Sequence, residues 1–173
     1  MKRSALTLTA VAVLTATAVG QTAQARTSIK DEIVNYRQHT WALQSVVRER
    51  LYRTNYSERW AKSPRYLRWV RKLWRSRFQR VAHVYDNPPQ LQSWLCIHRY
   101  EGSWSDPGSP YYGGLQMDLG FQETYAPELL RSLGTADHWP WLTQIWVAIR
   151  AYNDHHRGFS PWPNTARYCG LIV

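Results

Sequence analysis

The sequence predicts a predominantly helical α+β protein, in which a basic helical hairpin precedes a second domain that carries one short β-hairpin. Three observations lead there. Apolar residues recur at three- and four-residue intervals along most of the chain after residue 28, the period of a helix with one buried face. One stretch, Tyr111-Tyr112-Gly113-Gly114-Leu115-Gln116-Met117, lacks that period and joins aromatic residues to a glycine pair, which suits a short hairpin. Charge also divides the chain: residues 26–85 hold 15 basic and 4 acidic side chains, whereas residues 86–173 hold 5 and 8. The division falls at Asp86-Asn87-Pro88-Pro89, the clearest local breaker.

Residues 1–25 read as a signal peptide. Lys2 and Arg3 give a basic start, and residues 5–19 form an apolar run shorter than the roughly 20 residues a membrane-spanning helix needs. Ala23-Gln24-Ala25 is a small-residue cleavage site, so the mature chain is expected to begin at Arg26. Residues 26–86 form the basic extension. Ser28 with Asp31 three residues on resembles a capping box, and Ile29, Ile33, Tyr36, Leu43 and Val47 predict a first helix reaching about residue 53. Ser63-Pro64 sets a cap before a proline at the first helical position, and Leu67, Val70, Trp74, Phe78, Val81 and Tyr85 predict a second helix to residue 85. Its other faces carry Arg65, Arg68, Arg71, Lys72, Arg75, Arg77 and Arg80. Such a run is either a solvated face or, interleaved with Trp60, Trp69 and Trp74, a surface for polyanions.

Residues 87–173 form the second domain. Leu91, Trp94, Leu95 and His98 predict a helix stopped by Gly102, with Glu101 in its last turn. Asp106-Pro107-Gly108-Ser109-Pro110 is a turn-rich loop before the β-hairpin. Residues 121–125 and 127–133 predict two short helices broken at Pro127 and ended by Gly134. Leu142, Ile145, Ile149 and Tyr152 predict a core helix over residues 140–156 with Gly158 as its stop, and residues 161–169 read as an aromatic wrap.

Cys96 and Cys169 are the only cysteines, and export would place them where a disulfide persists; a catalytic thiol is the competing reading. The bridge would close a long loop, worth about 4 kcal/mol by restricting the unfolded chain. No second apolar stretch reaches membrane-spanning length, so the product is expected to be soluble and secreted, outside the cell or in the cell wall. His98, His138, His155 and His156 do not fall at ligand spacing with one another or with cysteines or carboxylates, so neither a metal nor another cofactor is expected. A net charge of +10 permits nucleic acid as a partner, but export argues against it.

The chemistry concentrates at residues 96–118, where Glu101 stands alone among aromatic residues. The end of a helix disfavours a carboxylate by only roughly 0.3–1 kcal/mol. Burial against apolar rings is the stronger means of keeping a carboxyl protonated, which a general acid for glycosidic cleavage requires. Tyr100, Trp104, Tyr111 and Tyr112 are near enough in sequence to supply such a wall. A glutamate at a helix end is also commonly just solvated, and spacing alone leaves both readings open.

Glu101-Gly102-Ser103-x-Trp104 followed by Tyr111-Tyr112-Gly113-Gly114-Leu115-Gln116 resembles the resuscitation-promoting-factor and transglycosylase-like domains of the lysozyme superfamily. Their pattern is C-E-S-G-G-N-W and then Y-Y-G-G-hydrophobic-Q. Gly114-Leu115-Gln116-Met117 is similar to the G-L-M-Q element of soluble lytic transglycosylases, and Ala151-Tyr152-Asn153 to their A-Y-N element. Trp162-Pro163 precedes the second cysteine as the family's W-P-x-C does, so the resemblance covers about residues 88–173. There are departures: the family's first cysteine directly precedes its glutamate, whereas Cys96 lies five residues before Glu101, and Phe121 stands where the family has a threonine.

The resemblance implies a lysozyme-like domain that cleaves the β-1,4 link between N-acetylmuramic acid and N-acetylglucosamine, with Glu101 as general acid and then base. A lytic transglycosylase lets the muramic acid 6-hydroxyl attack and needs no second carboxylate, whereas a hydrolase usually employs one. Asp118 is the candidate for that second role, matching an aspartate of many resuscitation-promoting-factor domains; its alternative is a helix cap. Trp104, Tyr112 and Gln116 are the expected saccharide contacts, since rings stack on sugar faces and an amide both donates and accepts. For Trp104 the alternative is core packing. Tyr152 either ends the core stripe or directs its hydroxyl to Glu101. The implied partners are peptidoglycan glycan strands, with anionic wall polymers or a membrane surface met through residues 59–80. The competing class is a non-catalytic wall-binding protein on the same scaffold.

Overall fold

The computed structural model describes residues 28–173; the leader expected over residues 1–25 lies outside the described residues. The chain is mostly helical, with one two-stranded antiparallel sheet among the described residues. Helix α1 spans Ile29–Val47, α2 Tyr56–Trp60 and α3 Pro64–Asp86. The N-terminus of α1 is capped by Ser28, whose hydroxyl accepts from the Asp31 amide at 3.2 Å. The helix stops short of residue 53 because Arg48 turns left-handed (φ 56°) and Gln44 captures the returning chain. The Gln44 amide donates to the Arg50 carbonyl and accepts from the Tyr52 N–H, which holds those residues off the helix.

Helices α1 and α3 enclose a small core of Ile33, Leu67, Val70 and Trp74. Trp74, expected on the apolar face of this helix and also among the aromatics offered to polyanions, takes the first place and is fully buried: Trp41 meets it edge-on at 5.8 Å and its Nε1 donates to Glu58 at 3.0 Å. Three of the seven basic residues on α3 are also committed inside this hairpin. Arg71 pairs with Glu32, Arg77 lies over the Trp74 and Tyr52 rings, and Arg80 donates to the Tyr52 hydroxyl.

The larger core is built around α7, Trp141–Asn153, on which every residue from Thr143 to Ile149 is buried. A helix apolar nearly all round belongs at a domain's centre. Trp94 and Ile97 of α4 (Leu91–Glu101), together with Leu115, Met117, Phe159 and Trp162, pack into the same cluster. Strands β1 (Tyr111–Tyr112) and β2 (Met117–Asp118) pair Tyr111 with Asp118 and Tyr112 with Met117. The two short helices follow as α5, Leu119–Tyr125, and α6, Pro127–Leu133. Helix α7 ends at Asn153, before residue 156, because Asp154 turns extended (ψ 117°), and His155 beyond it is left-handed, φ 46°. The tail is a helix as well as an aromatic wrap: α8 spans Pro163–Tyr168, with proline at its first turn where no N–H is required.

The compositional boundary at residue 86 is crossed by packing. Val46, Val47, Val84 and Tyr85 press on the larger core, and the Trp146 indole donates to the Tyr85 carbonyl at 2.9 Å. Arg150, with 6% of its side chain exposed, binds the Ser45 and Val46 carbonyls at the end of α1. The same guanidinium holds the Tyr125 carbonyl at 2.6 Å and the Glu128 carboxylate at 2.7 Å. Cys96 and Cys169 form a disulfide that ties α4 to the end of α8.

Candidate active-site cleft

Glu101 is the last residue of α4, and Gly102 follows as its C-cap. Its half-buried carboxylate opens on a cleft of about 330 Å³ lined by Tyr111, Gln116, Pro161, Trp162, Pro163 and Asn164. Glu101 Oε1 accepts a hydrogen bond from the Thr165 hydroxyl at 2.7 Å. A donor aimed at one carboxylate oxygen fixes the side-chain rotamer and leaves the second oxygen available to a ligand. The dry enclosure of four neighbouring rings expected from the sequence is not the arrangement found. Tyr100 is exposed and packs on Tyr168, Trp104 lies against His98 at 3.9 Å, and Tyr112 packs on the core. The aromatic walls of the cleft are Tyr111, half exposed, and the buried Trp162.

Three side chains from three elements seat the turn between β1 and β2 beside Glu101. Gln144 of α7 accepts from the Gly114 N–H at 2.9 Å, His98 of α4 contacts the Gly114 carbonyl at 3.1 Å, and the Trp162 indole donates to the Leu115 carbonyl at 2.7 Å. Gly113 has φ +72°, and a Cβ there would stand 2.5 Å from Gln144 Oε1, so both its backbone and the close approach call for glycine. Gln116 is left-handed (φ 48°) and lines the cleft, its amide nitrogen donating to Asp106 at 2.9 Å and to the Gly113 carbonyl at 3.0 Å. Both side-chain donors of Gln116 are thus engaged, and its carbonyl oxygen is the atom left to meet a ligand.

The remaining expected site residues lie elsewhere. Asp118 caps α5, its carboxylate accepting from the Phe121 N–H at 2.6 Å, and it does not line the cleft. Trp104 takes its packing alternative, between His98 and Trp141, with Gly114 close beneath its ring. The Tyr152 hydroxyl accepts from the side-chain amide of Gln90, which precedes α4 at the opposite end from Glu101. Eleven residues of helix separate those ends by about 16 Å, at 1.5 Å per residue, so Tyr152 does not reach Glu101.

Tyr111 and Gln116 line the cleft as expected, but two other neighbours of Glu101 were missed. Thr165, which bonds it, lies 64 positions downstream, and Trp162, which shares its cleft, three before that, on a segment read as a wrap and a W-P element without a place at the acid. A larger cavity, about 460 Å³, lies in the seam between the end of α1 and α7. Its Asp154 is bound by the Tyr125 hydroxyl and its Arg150 by backbone and Glu128, so its polar groups serve the seam. Among the described residues no group of three or more His, Cys, Asp or Glu side chains is placed to hold a metal ion, and no helix is long and apolar enough to cross a membrane. In comparisons with protein-family models, curated proteins and solved structures, nothing matches this chain.

Proposed function

We propose that the protein is a secreted peptidoglycan-cleaving enzyme with a lysozyme-like domain, using Glu101 on the β-1,4 link between N-acetylmuramic acid and N-acetylglucosamine. The observation that carries this reading is the carboxylate itself: it ends a helix at a cleft wide enough for a sugar, steadied by Thr165 and flanked by Tyr111, Trp162 and the Gln116 carbonyl. Aromatic rings offer faces for stacking against pyranose C–H groups, and the amide oxygen suits an acetamido N–H. Glu101 protonates the leaving oxygen and then, ionised, takes a proton from the attacking hydroxyl.

The single carboxylate favours the lytic transglycosylase course over assisted hydrolysis. Asp118 is spent on a helix cap, and an attack by the muramic acid 6-hydroxyl needs only one acid/base group. Mass spectra of muropeptides released from purified walls test this: anhydro ends are expected, and reducing ends would move the protein to the hydrolases. Glu101→Gln is expected to abolish release while circular dichroism stays native. If neither wild type nor variant produces new ends and both still bind walls, the domain is a non-catalytic wall-binding module.

A further inference from the structure

After the hairpin's internal pairings are made, α3 retains an outward stripe of Arg65, Arg68, Lys72 and Arg75, all exposed. Among the described residues none of these four makes an ion pair or side-chain hydrogen bond. At 100° and 1.5 Å per residue they fall within an arc of about 80° and a length of about 15 Å, opposite the seam of Leu67, Val70, Trp74 and Val81. Trp69, 51% exposed, stands at the edge of the stripe, and its ring stacks on Tyr66 at 5.3 Å and 19°. The indole is thus propped outward beside the cations. Four cations on one ridge repel one another, and an opposing anionic surface relieves that repulsion.

The geometry points to a bilayer: we propose that this face of α3 docks the protein on the anionic surface of a phospholipid membrane. The stripe is the convex outer side of a continuous 23-residue helix. A flat charged surface can touch such a ridge along its whole length, whereas a single polyanionic strand is held by a groove that follows it. Tryptophan and tyrosine beside arginine and lysine match the headgroup level, where an amphipathic ring has one side apolar and one wet. Each basic side chain at such a surface strengthens binding about fivefold. The apolar side of α3 is buried against α1, so docking proceeds by charge and a shallow indole, with no helix insertion.

The test is co-sedimentation of the whole mature chain with vesicles of phosphatidylcholine, alone or mixed with phosphatidylglycerol. Binding is expected only where phosphatidylglycerol is present, and it should weaken as salt is raised. Arg68→Gln with Lys72→Gln should weaken it roughly 25-fold, Trp69→Ser should weaken it further, and Arg68→Lys should retain it, with circular dichroism confirming each fold. Equal binding to both vesicle types overturns the proposal, as does indifference to the double neutralisation. So does preference for soluble poly(glycerol phosphate) over vesicles at equal phosphate, which would assign the stripe to a wall polymer. Glu101→Gln should bind vesicles like wild type, which separates this surface from the cleft.

Discussion

A 2.7 Å hydrogen bond from Thr165 decides how Glu101 faces its cleft. A hydrogen bond to a charged group is worth about 1.5–3 kcal/mol, so Thr165→Val, which keeps the shape and removes the donor, should lower kcat for muropeptide release about 10- to 100-fold. KM should change little and Thr165→Ser should restore most of the rate, a pattern that a merely packed side chain would not give. Glu101 was legible because Leu91, Trp94, Leu95 and His98 fix a helical phase and Gly102 ends it. Thr165 was not. It meets the acid only because α8 returns across the end of α4, and no local spacing encodes an encounter across 64 positions. Asp118 shows the converse: a carboxylate three residues before an unsatisfied helical N–H is drawn into capping, and in a linear sequence a cap and a catalytic group look alike.

At the scale of elements, the β1–β2 turn forms one wall of the cleft and is seated through its backbone by Gln144, His98 and Trp162. Gly114 runs so close to its neighbours that an added Cβ would stand 2.5 Å from Trp104 Cε3 and 2.7 Å from His98 Nδ1. Those two rings are themselves stacked and have little room to retreat. Gly114→Ala is therefore expected to cost about 1–3 kcal/mol by overpacking, lowering Tm by several degrees in calorimetry. The glycine pair announced a hairpin in the sequence, but its seat did not. Gln144 was hidden in an apolar helix, and Trp104, read as a sugar platform, supports the turn from beneath. The first helix was overextended because periodicity registers where apolar residues fall and is blind to a glutamine folding back on its own chain.

For the whole molecule, the joint between the basic hairpin and the α7 core turns on Arg150 and Glu128. Burial pushes the Glu128 carboxyl up, but a hydrogen bond from its own backbone, the bond and charge of Arg150, and the charge of Arg48 outweigh that and hold it below its ordinary value of 4.5. A carboxyl lowered on folding stabilises the protein above its unfolded value, and that contribution disappears as pH falls through the folded one. Urea denaturation at stepped pH should show wild type losing stability below about pH 4.5 more steeply than Glu128→Gln does. The Asp86–Pro89 breaker marked the gap between α3 and α4, but nothing in the charge contrast disclosed that one buried arginine ties the segments on its two sides together. The joint has a consequence for any attempt to trim the chain. Excising everything before residue 87 would strip Arg150 of the Ser45 and Val46 carbonyls and bare the apolar floor beneath Val46, Val47, Val84 and Tyr85. The half that carries the Glu101 cleft is thus no detachable cassette, and the basic half serves as part of its foundation.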